Sequence, residues 1–146
     1  SSIANEINGW YGDDSIYGGA GNDKLDYNHP QGDDTLYGGK GNDTYYIYDT
    51  GGSDTIIEYE DEGDDSVYTN MSFTLADLAN VENLYAFYNS TTNLSLTGNT
   101  LDNWLQSSKG ICTIDGGVGS DTVMYHNYWT RNECLIFKED NDNNFW

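Results

Sequence analysis

Seven aspartates in this sequence share one setting, two residues after a glycine and two before an apolar side chain. Asp14 leads to Ile16, Asp23 to Leu25, Asp34 to Leu36, Asp43 to Tyr45, Asp54 to Ile56, Asp65 to Val67 and Asp121 to Val123. A carboxylate fixed at the end of a glycine turn is an oxygen ligand for a hard cation, and recurrence makes a row of such ligands. Three turns carry the fullest form: Gly18-Gly19-Ala20-Gly21-Asn22-Asp23, Gly38-Gly39-Lys40-Gly41-Asn42-Asp43 and Gly116-Gly117-Val118-Gly119-Ser120-Asp121. Relaxing the aspartate extends the series through Asn103 with Leu105 and Cys112 with Ile114.

The elements that position these carboxylates follow from what lies after them. A polar residue such as Thr35 or Ser66, an apolar one, then often a tyrosine, reads as a short strand with one side chain inward. The inward set from Ile16 to Val123 fills a flattened tube, and Tyr17, Tyr37, Tyr46 and Tyr68 form rows outside. From Asp14 to Asp65 the aspartates are separated by 9, 11, 9, 11 and 11 residues, so one full coil takes about twenty. Alternate repeats therefore share an edge, with Asp14, Asp34 and Asp54 on one and Asp23, Asp43 and Asp65 on the other. The expected fold is all-β, a parallel β-roll or right-handed β-helix-like solenoid of stacked half-coils.

Stacking brings like charges to roughly 4.8 Å, the interstrand distance. At about 4 Å such repulsion is on the order of 1 kcal/mol in water and about 4 kcal/mol at an intermediate dielectric. A divalent cation between coils turns that repulsion into cohesion. Carboxylates plus turn carbonyls, all oxygens in a flexible arrangement, suit several Ca2+ ions better than magnesium or zinc. Zinc favours His and Cys, and His29, His126, Cys112 and Cys134 lie scattered without metal-ligand spacing. The 25 acidic against 5 basic residues, a net charge of -20 and 36% hydrophobic residues also fit a solvated acidic tail. Periodicity argues for the metal instead, with an expanded chain in its absence and a rod in its presence.

Along the chain, a first repeat block spans 9–68, a looser spacer 69–97, a second block 98–124 and a capping segment 125–146, together one module. Phe73 to Ala79 suits one helical turn or a wide loop, and Asn83, Asn93 and Asn103, ten apart, suit an asparagine ladder. Leu135-Ile136-Phe137-Lys138 reads as a capping strand or hairpin over the open end of the roll. No apolar run approaches the length of a membrane span.

These motifs resemble the repeats-in-toxin (RTX), or haemolysin-type calcium-binding, family, over roughly four fifths of the chain, with Ser72-Phe73-Thr74-Leu75 and Asn80-Val81-Glu82-Asn83-Leu84 similar to its spacers. The resemblance implies a bacterial protein exported unfolded through a type I channel, folding in extracellular calcium and supporting a larger toxin, enzyme or adhesin. It places carboxylate ligands at Asp23, Asp43 and Asp121, and carbonyl ligands at Gly18, Ala20, Gly38, Lys40, Gly116 and Val118. Asp14, Asp34, Asp54 and Asp65 follow degraded turns and complete the candidate ligand set. Cys112 stands in an aspartate slot, where metal binding would be lost. With Cys134 it offers a disulfide suited to an exported protein, or two buried thiols.

Catalysis finds little footing, because no metalloprotease His-Glu-x-x-His, nucleophile elbow or lysine-bearing phosphate loop is present. Ser120, Asp121 and His126 lie close in sequence, yet Asp121 belongs to a metal turn. The charge disfavours nucleic acid. A competing reading is a calcium-dependent carbohydrate or surface-binding module, in which Tyr17 and Tyr37 stack on sugar rings or bound calcium neutralises an acidic polysaccharide.

Overall fold

A computed structural model of the chain describes residues 3–28, 31–50, 52–87, 93–108, 112–124 and 135–137. Its elements among the described residues are all strands. The first half holds β1 (Glu6–Ile7), β2 (Ser15–Ala20), β3 (Lys24–Leu25), β4 (Thr35–Lys40), β5 (Thr44–Ile47), β6 (Thr55–Ile57) and β7 (Ser66–Thr69). The second holds β8 (Phe73–Thr74), β9 (Asn83–Ala86), β10 (Leu94–Thr97), β11 (Trp104–Gln106), β12 (Cys112–Asp115), β13 (Thr122–Met124) and β14 (Leu135–Phe137).

Every pairing is parallel, and the strands sort by parity, as a chain that alternates between two faces must. Odd strands form one seven-stranded sheet in the order β1-β3-β5-β7-β9-β11-β13. Even strands form a three-stranded sheet, β2-β4-β6, and a four-stranded one, β8-β10-β12-β14. The roll is thus continuous on one face and interrupted on the other between β6 and β8. The pairing of Thr35 with Ser15 and of Thr55 with Thr35 gives the twenty-residue coil read from the spacing.

In the first half the inward residues follow each aspartate by two, and in the second half Leu84, Leu96, Leu105 and Ile114 take the same slot after other residues. Leu25, Leu36, Tyr45, Val67, Leu84, Leu96, Leu105 and Ile114 are fully buried, and Ile16 and Ile56 nearly so. Burying each such aliphatic side chain contributes roughly 1.5–3 kcal/mol, spread evenly along the tube. Outside, Tyr17 stacks on Tyr37 with centroids 4.4 Å apart and an interplanar angle of 6°. Tyr46, Tyr68 and Tyr85 form a second row, stacked at 5.6 and 4.7 Å.

Two expectations for the spacer change. Phe73–Thr74 is a strand, and the stretch after it turns through Leu78 N–H donating to Leu75 O at 2.8 Å, with no helix among the described residues. The asparagine ladder does not form, because the register pairs Asn83 with Trp104 and not with Asn103, while Asn93 precedes a strand of the other face. Asn103 lies instead beside Glu82, whose carbonyl accepts its side-chain amide at 3.0 Å. Of the segment expected to cap the roll, the described strand Leu135–Phe137 adds in parallel to β12 at the edge of the four-stranded sheet. The disulfide proposed from sequence falls outside the described residues, as Cys134 and the Cys112 side chain do.

Candidate metal centre

The three intact glycine turns all lie on one edge of the roll, each leading from the even face into an odd strand. They share one conformation. Gly19, Gly39 and Gly117 have φ of 103°, 92° and 81°, a region a β-carbon disfavours. The first glycine serves a different purpose, since it lies beneath the aspartate that ends its turn. A Cβ on Gly18 would stand 2.7 Å from Asp23 Oδ2, and one on Gly38 or Gly116 would meet the Oδ2 of Asp43 or Asp121.

Each aspartate on this edge divides its oxygens. Oδ1 accepts an amide from the neighbouring coil, binding the stack: Asn5 N–H donates to Asp23, Asp23 N–H to Asp43 and Asp43 N–H to Asp65, each at 2.7 Å. The ladder continues with Asp65 N–H donating to Glu82 Oε2 at 2.8 Å and resumes with Asn103 N–H donating to Asp121 Oδ1 at 2.9 Å. On the opposite edge Asp14 N–H donates to Asp34 Oδ1 at 2.8 Å, and Asp34 N–H to Asp54 Oδ1 at 3.1 Å. The residues just before these run a ladder of opposite sense, with Asn42 N–H donating to Asn22 Oδ1 and Asp33 N–H to Asp13 Oδ1, both at 3.0 Å.

Several second oxygens are buried away from the ladder. Asp23 Oδ2, Asp26 Oδ2, Asp43 Oδ2 and Glu58 Oε2 are buried and meet no hydrogen-bond donor. A buried carboxylate oxygen with no donor is costly unless a cation compensates it. The basic side chains do not, since the ion pair found among the described residues joins Lys24 to Glu6 at the exposed surface.

Two triads gather Asp26, Asp43 and Glu58 with further carboxylates. One oxygen each from Asp43, Glu58 and Asp65 lie within 4.8 Å of one another, as do oxygens from Asp26, Asp34 and Asp54. Calcium holds six to eight oxygens at 2.3–2.6 Å, so ligands on its opposite sides span up to about 5.2 Å, a reach that covers both triads. An all-oxygen set with free inward lone pairs fits calcium. Glu58 sits at the register of Gly18 and Gly38 and sends its carboxylate toward the pocket over Gly38, where it accepts the Tyr45 hydroxyl.

Electrostatics describe the same crowding. Burial pushes the Asp43 carboxyl up to about 6, with the Asp23 and Glu62 charges adding and the Asp23 amide opposing. Burial likewise raises Asp65 to about 7, reinforced by Asp43, Glu82 and Asp64. Glu58 rises to about 8, again through burial first, then the Asp65 and Asp43 charges, against the Tyr45 hydrogen bond. Asp26 is raised by burial and then by Asp34, and Asp54 by burial and the Asp34 charge. Each of these carboxyls is favoured by a proton or by a nearby cation.

The remaining sequence candidates are placed as follows. Asp14 is half-buried against Gly9 and joins neither triad. The Lys40 carbonyl accepts Gly21 N–H at 2.8 Å, and Ala20 pairs with Lys40 across the β2–β4 ladder. Val118 is exposed, its amide donating to Asn99 O at 3.2 Å. Sequence reasoning missed Asp26, Glu58 and Glu82. A signal existed for Glu58, because a tyrosine in an inward slot needs a partner for its hydroxyl.

The sequence model of the RTX calcium-binding nonapeptide repeat matches this chain in four copies, at residues 4–27, 31–46 and 97–126. Neither a curated protein nor a solved structure matches it significantly.

Proposed function

This chain is a member of the RTX calcium-binding repeat family, a calcium-binding β-roll, and on that premise we propose that it is a calcium-folded module of a secreted bacterial protein. It leaves the cell through a type I channel as an extended, metal-free chain and folds on extracellular calcium, supporting a larger toxin, enzyme or adhesin. The ligands are the inward oxygens of Asp23, Asp43, Asp65 and Asp121 with the turn carbonyls of Gly18, Ala20, Gly38, Lys40, Gly116 and Val118, and on the opposite edge those of Asp14, Asp34 and Asp54. The break between β6 and β8 supports a division into blocks at 9–68 and 98–124, joined by the spacer 69–97 and closed by 125–146.

One observation carries this reading. Asp43 is 1% exposed, its Oδ1 binds the next coil, and its Oδ2 faces a glycine cradle with no donor. This chain's residues thereby supply oriented, dehydrated oxygens, and the ion when bound supplies the charge that lets neighbouring coils approach. The test is circular dichroism during a calcium titration starting from excess chelator. A cooperative gain of strand signal with a midpoint of roughly 0.1–1 mM is expected for an extracellular module. Strand signal already complete in chelator refutes the folding switch.

A calcium-dependent carbohydrate-binding role is favoured by one feature. Tyr17 is 63% exposed at the end of the Tyr17–Tyr37 stack. The two rings cover one face of each other, so the open face of Tyr17 is the sugar platform. Glycan-array binding that requires calcium and vanishes in the Tyr17→Ala, Tyr37→Ala double variant supports it, and the absence of any binding excludes it.

A further inference from the structure

Asp26 sits where the roll places an outward ring. The register pairs Leu25 with Tyr45 and carries on through Tyr46, Tyr68 and Tyr85, so the residue after Leu25 belongs to that tyrosine row. Asp26 instead has φ of 63°, a left-handed conformation, and is fully buried. Its reversal hands the outward slot to Tyr27, whose ring meets Tyr46 edge-on at 5.1 Å. Left-handed aspartates are tolerated, but at a cost that a buried carboxylate with a donorless Oδ2 only increases.

What Asp26 gains by turning inward is the company of Asp34 and Asp54. Each of those commits Oδ1 to the coil ladder. Asp26 Oδ1 receives only a long contact from Gly9 N–H at 3.5 Å, and its Oδ2 receives none. Asp34 is 1% exposed and Asp54 half-buried, so little water reaches the group. This edge lacks an intact glycine turn, and Asp54 lies beyond the matched repeats.

We propose that Asp26, Asp34 and Asp54 form a three-carboxylate calcium site on the edge that lacks an intact glycine turn, with Asp26 as a carboxylate ligand from outside the Gly-x-Asp series. The site is additional to those of the glycine-turn edge and rests on the reading of the chain as a calcium-binding roll. Three negative charges in place of neutral carbonyls make it a high-affinity position of the first block, because calcium affinity rises with ligand charge.

Calorimetric calcium titration of the full chain and of Asp26→Asn tests this, with circular dichroism at saturating calcium to follow the fold. The variant is expected to bind one ion fewer while keeping its strand signal, since the glycine-turn edge is untouched. An unchanged number of ions overturns the proposal. Wild-type chain that binds no calcium at all instead overturns the calcium reading on which it rests. Should Asp26→Asn fail to fold, anomalous diffraction from wild-type crystals grown in calcium decides. A peak among the three carboxylates supports the site, and its absence there alongside peaks at the glycine turns refutes it.

Discussion

A single methyl group at Gly38 separates the metal pocket from the turn that frames it. A Cβ there would meet the Tyr45 hydroxyl, Glu58 Oε1 and Asp43 Oδ2, the groups over which calcium would be shared. Asp43 cannot retreat, since its Oδ1 is held by Asp23 N–H at 2.7 Å. Gly38 does not have positive φ, so Gly38→Ala leaves the turn conformation intact and fills only the pocket. Gly19 is the converse control, with φ of 103° and nothing within 4 Å of a built Cβ. Gly19→Ala should cost about 1–2 kcal/mol of backbone strain whatever the metal concentration. Gly38→Ala should cost about 1–3 kcal/mol from overpacking, plus the binding energy of one lost ion. That second part is about 2.7 kcal/mol at a calcium concentration of 100 times Kd and about 4.1 kcal/mol at 1,000 times. Urea denaturation at a series of calcium concentrations distinguishes the two. The Gly38→Ala deficit should widen by about 1.4 kcal/mol per tenfold rise in calcium, and the Gly19→Ala deficit should stay flat. A Gly38→Ala deficit independent of calcium would refute the placement of an ion over this glycine.

The pH response should reverse with metal. Burial holds Asp43, Asp65 and Glu58 at about 6, 7 and 8, above the roughly 4 of an unfolded carboxyl, so the metal-free roll binds more protons than the unfolded chain between those limits. Its stability therefore falls as pH rises from about 4 to 8, and strand signal in chelator should grow on acidification. With calcium bound the same groups are held ionised, and acid should weaken the fold; identical slopes with and without calcium by circular dichroism would contradict this. Glu58→Gln, which keeps a partner for Tyr45 but removes a charge, should raise the calcium midpoint without abolishing folding. Leu36→Ala, emptying a fully buried slot, should cost about 2–5 kcal/mol in saturating calcium, read by urea denaturation.

Where the sequence was legible, one residue decided each outcome. An aspartate after a glycine announces a strand, and the apolar residue two positions on is inward, which placed Leu25, Leu36 and Val67 in the core before any coordinate. The twenty-residue coil sorted Asp23 from Asp34 onto opposite edges. Legibility failed where coil length changed. Between Asp65 and Glu82 the coil shortens to 17 residues, so Glu82 takes the ladder position that aspartates hold elsewhere, and counting in tens selected Asn83 instead. Asp26 was hidden for a different reason. Its type matches an outward polar residue, and only the sign of φ turns it inward.

The division of oxygens explains why stacking and metal binding belong to one event. Oδ1 of Asp43 is useful only once the neighbouring coil presents the Asp23 amide, and Oδ2 is dehydrated by that same approach. Coil closure thus creates the ligand and the penalty together. A roll without metal holds dehydrated carboxylates against one another, and an ion bound between coils would offset that repulsion. Ladder bonds alone are worth about 1.5–3 kcal/mol each when the acceptor is charged, comparable to the repulsion they impose. If calcium folds the roll as proposed, the cation tips this balance, and the number of ordered coils is expected to rise with the number of bound ions in a calcium titration followed by circular dichroism and calorimetry.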